Sequence, residues 1–224
     1  MKIHKRLHEE GTKAILITLA VAATLTFLVN WFWPAQTWWH CFVYAFLLLV
    51  LILTVRFFRV PIWRKTTLAE NIVLAPADGV IAANEVVQED EYFHDKRRQL
   101  SIFMSIYDVH INFFPFDGTV TYYKYHPGKF LVAFNPKSSS DNEHNTIVLK
   151  DTKGREVLVR QIAGFVARRI VCDLKPGDEA VAGEELGMIR FGSRVDVFLP
   201  LDAEVDVKIG EKTIGKETVL ARLM

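Results

Sequence analysis

The chain has 224 residues, with 27 Lys and Arg against 26 Asp and Glu, a formal net charge of +1. That balance argues against a nucleic-acid binder, which needs a basic excess to neutralise phosphates. Half of the residues are hydrophobic, and the two cysteines, Cys41 and Cys172, are too few and too far apart for a metal cluster. They read as structural thiols of a reduced compartment.

The apolar excess lies before Arg59. Residues 14–33 and 38–55 contain no charged side chain, and each run approaches the roughly 20 residues that a bilayer-spanning helix requires. Pro34-Ala35-Gln36-Thr37 separates them as a short turn. Trp31, Trp33, Trp38 and Trp39 crowd around it, as an aromatic belt at a membrane surface would. The outer flanks are basic: Lys2, Lys5, Arg6 and Lys13 on one side, Arg56, Arg59, Arg64 and Lys65 on the other. Positive flanks stay in the cytoplasm, so residues 1–66 are expected to form a two-helix transmembrane hairpin with both ends inside. A cleaved signal peptide fits badly, because a second apolar run follows the first.

From about Leu68 the composition changes to short β-rich segments divided by turn residues such as Asp117-Gly118, Pro127-Gly128, Lys153-Gly154 and Pro176-Gly177. Candidate strands are 79–87, 99–104, 118–125, 145–150, 156–163, 179–181, 194–199 and 204–209, with one helical turn near 105–109. The expected fold is mainly β, a barrel-sandwich-like domain over residues 67–224 behind the hairpin. Nucleotide-binding and zinc motifs are absent from the sequence.

Three places carry polar groups that a strand framework does not require. Asp78 lies in Ala-Pro-Ala-Asp-Gly, where Asp-Gly by itself is a turn former. His110 lies in Tyr-Asp-Val-His-Ile-Asn, and a histidine among apolar neighbours is most often a satisfied core residue. Gly192-Ser193 interrupts GMIRFGSRVDVFLP at a point where glycine would ordinarily mark a bulge. Together, however, Asp, His and Ser are what activation of a hydroxyl nucleophile requires. An ordinary hydrolase would present its serine in GxSxG between strand and helix; here the serine opens a strand.

The motifs Pro76–Gly79, Tyr107–Asn112, Pro127–Phe130, Asn142-Glu143 and Phe191–Asp196, in this order behind a membrane hairpin, resemble the phosphatidylserine decarboxylases, in the short archaeal-type form that many bacteria carry. The resemblance spans essentially the whole chain. It implies self-processing: the Ser193 hydroxyl attacks the Gly192 carbonyl, the chain splits between them, and residue 193 becomes a pyruvoyl group. The fragments 1–192 and 193–224 would stay associated. It further implies a base at His110 oriented by Asp78, a Schiff base between the pyruvoyl group and phosphatidylserine, and release of phosphatidylethanolamine at the bilayer without a metal. His110 would also reprotonate the product. The longer forms carry a second histidine at the place of Phe113, for which His126 is the available substitute, and Arg194 would face either the lipid phosphate or Asp196. The expected location is the inner membrane, with the domain on the cytoplasmic side.

Two other readings compete. A membrane-anchored barrel-sandwich adaptor or carrier would explain 75–81 and 175–184 without catalysis, but lacks a modifiable lysine at a hairpin tip and a coiled-coil heptad run. A lipid serine hydrolase would use the same triad and leave the chain intact.

Overall fold

A computed structural model describes residues 7–67, 69–128, 142–164, 169–190 and 193–224. Lys2, Lys5, Arg6, Leu68, Lys129, Phe130, Phe191 and Gly192 lie outside them. The chain divides into two units, Met1–Trp63 and Arg64–Met224.

The first unit is two helices, α1 (Glu9–Phe32) and α2 (Trp38–Phe57), both long and apolar enough to cross a membrane. Leu16, Ile17, Phe27, Phe42, Phe46 and Ile52 are exposed on them. The turn between them is closed by polar groups. Tyr44 Oη and Gln36 Nε2 both donate to Asn30 Oδ1, at 3.1 and 2.5 Å. His40 packs its ring against Trp39, and Trp33 meets Trp39 edge-on at 5.6 Å. Trp31, Trp33 and Trp38 are exposed around this turn, as the expected aromatic belt requires.

Among the described residues, the regular elements of the second unit are all strands. In chain order these are β1 (Ile72–Leu74), β2 (Gly79–Glu89), β3 (Asp95–Met104), β4 (Ile111–Phe113), β5 (Gly118–His126), β6 (His144–Lys150) and β7 (Glu156–Ala163). Then follow β8 (Ile170–Val171), β9 (Glu179–Ala180), β10 (Glu185–Ile189), β11 (Ser193–Leu199), β12 (Glu204–Val205), β13 (Lys212–Thr213) and β14 (Val219–Arg222). Eight of them form one antiparallel sheet in the order β13-β2-β3-β11-β7-β6-β5-β9; two three-stranded sheets, β1-β14-β12 and β4-β10-β8, complete the fold. The mostly β architecture expected from the sequence is present.

β11 lies at the centre of the large sheet, between β3 and β7. Its period-two pattern predicts one apolar and one polar face, yet all seven residues are buried. Val195, Val197 and Leu199 join the main core with Ile102, Leu100, Val159 and Ile147. On the other face Phe198, Leu158 and Val148 are covered by Val87, Tyr92, Phe93 and Tyr122, side chains from the long β2–β3 hairpin and from β5. Arg194 and Asp196 lie on the same face, are buried and pair with each other at 2.9 Å. Arg194 therefore faces Asp196 rather than a lipid phosphate.

Candidate active site

Ser193 is the first residue of β11, opposite Met104 of β3 and Ala163 of β7. Its side chain lies on the core face and is fully buried. The hydroxyl donates to Met104 Sδ at 3.1 Å, a weak acceptor for a buried O–H.

After Met104 the chain makes a tight turn at 105–108, not the helical turn expected there. Asp108 N donates to the Ser105 carbonyl, while Asp108 Oδ2 accepts from both Ser105 N and Ser105 Oγ at 2.8 Å. Ile106 and Tyr107 stand exposed at its tip. The turn delivers His110, which is fully buried at the entry to β4. Its Nδ1 lies 3.0 Å from the Asp108 carbonyl oxygen. A carbonyl only accepts, so Nδ1 carries the hydrogen and Nε2 is the basic nitrogen of the neutral ring.

Asp78 precedes β2 and is buried. Gly79 is obligatory there, because a Cβ would collide with the Phe103 carbonyl. The Asp78 carboxylate accepts from Arg64 Nη1 and Nη2 at 2.6 and 2.7 Å, from Gly215 N at 2.8 Å and from Val109 N at 3.3 Å. Gly215 is needed for this approach, since a Cβ would run into the Phe113 ring. Asp78 thus holds the main chain one residue before His110, and the imidazole itself is oriented by Asp108. Lys216, over the Phe113 ring at 5.6 Å, is pushed below the usual lysine range by burial and by the neighbouring Arg64 charge.

Sequence reasoning missed Arg64, which looked like one more basic flank of the hairpin. It also missed three buried amides beside Ser193. Asn112 of β4, Gln161 of β7 and Asn145 of β6 are all fully buried and bonded in series. Asn112 was visible within its motif; nothing in EVLVRQIA marks Gln161 as facing inward.

His126 stands elsewhere. Sheet register aligns His126 with His144, His144 with Ile162, and Ile162 with Arg194. Side chains alternate faces along a strand, so His126 lies on the face opposite Ser193 and does not substitute there for a second histidine. Its Nε2 pairs with Glu91 at 2.6 Å, and its ring stacks on His144 at 4.4 Å. Arg160 and Thr146 hold the other Glu91 oxygen. Burial alone would raise the Glu91 carboxyl, but the bonds from Thr146 and His126 and the Arg160 charge outweigh it and hold it low. Burial pushes the His144 imidazole down. Glu91, His126 and His144 lie close enough together to surround a cation, but the stacked rings do not converge their lone pairs on one point. Cys172 is pushed up to about 11 by burial, which makes it an inert thiol.

The structure thus holds a buried serine opening a central strand and, in a separate segment, a buried histidine whose Nδ1 faces a carbonyl. The model of the family described as phosphatidylserine decarboxylase matches residues 50–221. The chain belongs to the phosphatidylserine decarboxylase family. Relatives named phosphatidylserine decarboxylase proenzyme include one from Phocaeicola vulgatus, 45% identical over 97% of this chain and 95% of its own length. One from Cytophaga hutchinsonii is 44% identical over 96% and 97%, and one from Amoebophilus asiaticus is 52% identical over 75% and 74%. The Phocaeicola and Cytophaga matches, over 97% and 96% of the chain, take in the helical hairpin as well as the β domain, and they leave the adaptor reading without support.

Proposed function

We propose that this chain is a proenzyme that cuts itself between Gly192 and Ser193 and then decarboxylates phosphatidylserine to phosphatidylethanolamine. The observation that carries this reading is the place of Ser193 in a phosphatidylserine decarboxylase family chain: first residue of the central strand, hydroxyl buried, on the face shared with β4. In self-cleavage His110 Nε2 takes the hydroxyl proton, Oγ bonds to the Gly192 carbonyl carbon, and the Gly192–Ser193 C–N bond gives way as the nitrogen takes up a proton, leaving an ester. Loss of the residue 193 α-proton then breaks the Cβ–Oγ bond and frees the Gly192 carboxylate, and water displaces the nitrogen as ammonia to leave the ketone. Asp78, clamped by Arg64, keeps the segment that presents His110 in place.

The residues around position 193 fit a pyruvoyl group. The surrounding core-face side chains, Met104 and Asn112, are neutral and buried. That group would supply a ketone for the substrate amine and a sink for the electrons left by the departing carboxylate. His110 would return a proton to the substrate's α-carbon, which needs only a basic nitrogen that titrates near working pH.

The cut chain of residues 193–224 would remain attached without a covalent link. β11 is paired on both sides, β13 pairs with β2, β14 with β1, and Gly215 and Lys216 are bonded to Asp78 and Ala75. The hairpin, residues 1–66, would tether the decarboxylase domain of residues 67–224 to the cytoplasmic side of the inner membrane, where a diacyl lipid must be met. Intact-protein mass spectrometry tests the reading: two fragments divided at 192/193 support it, and a Ser193→Ala chain should stay whole and folded.

A further inference from the structure

The three buried amides beside Ser193 form a chain whose direction can be deduced. The backbone N–H of Gln161 donates to Asn145 at 3.3 Å, so the atom it meets is Oδ1. Asn145 Nδ2 must then donate to Gln161 Oε1, at 2.8 Å. Gln161 Nε2 in turn donates to Asn112 Oδ1, at 2.6 Å. Each amide has one accepting and one donating end, so the backbone donor fixes the orientation of all three. At the end of the series, Asn112 can present only its Nδ2 donor.

That donor points at Met104 Sδ, 3.7 Å away, the same sulfur that accepts from the Ser193 hydroxyl at 3.1 Å. Two good donors thus converge on one poor acceptor in a space closed to water. When the serine hydroxyl loses its proton the balance reverses. Oγ becomes an acceptor, Met104 cannot donate to it, and Asn112 Nδ2 can do nothing else. A donor held ready for charge that appears only during reaction lowers the barrier, because its orientation costs nothing at that moment.

We propose that Asn112 is a catalytic residue of self-cleavage, donating from Nδ2 to Ser193 Oγ as the proton leaves, with Gln161 and Asn145 as the positioning residues that lock the amide. The proton goes to the base, Oγ bonds to the preceding carbonyl carbon, and the residue 193 nitrogen is released and protonated. This rests on the self-cleavage reading above and adds the group that stabilises the oxygen.

The test follows appearance of the 193–224 fragment by mass spectrometry during cell-free synthesis of the full chain in phosphatidylglycerol nanodiscs, between pH 6 and 9. Asn112→Leu keeps the volume and removes the donor, and should slow cleavage at least tenfold with its pH profile displaced upward. A purely structural defect would lower the rate evenly at all pH values. Gln161→Met removes the lock without touching Asn112 and should slow cleavage several-fold. In a Ser193→Ala background both variants should still melt cooperatively, several degrees below the parent, because each leaves buried amide groups without a partner. Should Asn112→Leu fail to fold, Gln161→Met decides alone. Wild-type cleavage rates in the folded variants, or a slowing with no displacement in pH, overturn the role of Asn112. A wild-type chain that never splits overturns the self-cleavage reading itself, a separate result.

Discussion

Replacing Arg64 by methionine keeps the length of the side chain and deletes the guanidinium that holds both Asp78 oxygens. The Arg64 and Asp78 side chains are only 11% and 9% exposed, so the carboxylate would be stranded with two backbone N–H groups for company. Breaking a buried pair costs about 3–5 kcal/mol, and the bonds from Gly215 and Val109 that remain place this case near the lower end, about 3 kcal/mol. For a domain of this size about 1 kcal/mol moves the melting temperature by roughly 2–4 °C, so a fall of about 6–12 °C is expected. The assay is far-UV circular dichroism of the β signal in detergent, in a Ser193→Ala background that keeps one species. Tryptophan fluorescence would be blind here, because all five tryptophans lie at or before Trp63. Asp78→Asn on top of Arg64→Met removes the stranded charge and should recover about half of the loss. Lys216 could swing in to compensate, so Arg64→Met is also made with Lys216→Met. A fall below about 3 °C in both, half the smallest shift expected, would refute the view that this pair holds the His110 segment in place.

Three further outcomes are expected. His110→Ala should accumulate uncut precursor, whereas His126→Ala, altered on the opposite face of the sheet, should cut at the wild-type rate; the ratio of the two species on a denaturing gel distinguishes them, and equal defects would contradict the face assignment. His144, whose folded imidazole is held below its unfolded value of 6.5 by burial, binds its proton more readily when unfolded. It therefore contributes stability that is complete above about pH 6.5 and is lost as pH falls from there toward the lower folded value. Melting temperatures should drop across that window, and His144→Gln should flatten the slope; an unchanged slope would remove His144 as its source. Finally, the full chain should float with vesicles after a high-salt wash, while loss of the vesicle-bound fraction in salt would mean surface attachment rather than spanning helices.

The helices were legible because a charge-free run of nearly 20 residues rarely serves any purpose but crossing a bilayer, and Trp31 to Trp39 mark the turn. The β-branched and apolar run bounded by Lys153-Gly154 likewise placed Glu156–Ala163 as observed. The short strands Ile111–Phe113 and Glu185–Ile189 were not foreseen, since three or four buried residues show no periodicity. The burial of Phe198 depends on a hairpin folding over it from about a hundred residues earlier in the chain, which no local window contains. Ser193 and His110 could be named from their motifs, but Arg64 could not, because a basic residue after a membrane helix already has a reason to be there. Gln161 was hidden by the same ambiguity, since a polar residue in an alternating strand reads as solvent-facing until the opposite face is found to be covered.

The most direct test of the central claim is the intact mass of the purified, fully matured wild-type chain. The account predicts two masses, residues 1–192 and a 32-residue fragment from position 193, the smaller one refractory to Edman sequencing because its N-terminal amine has been lost. A single mass of 25.7 kDa would contradict it.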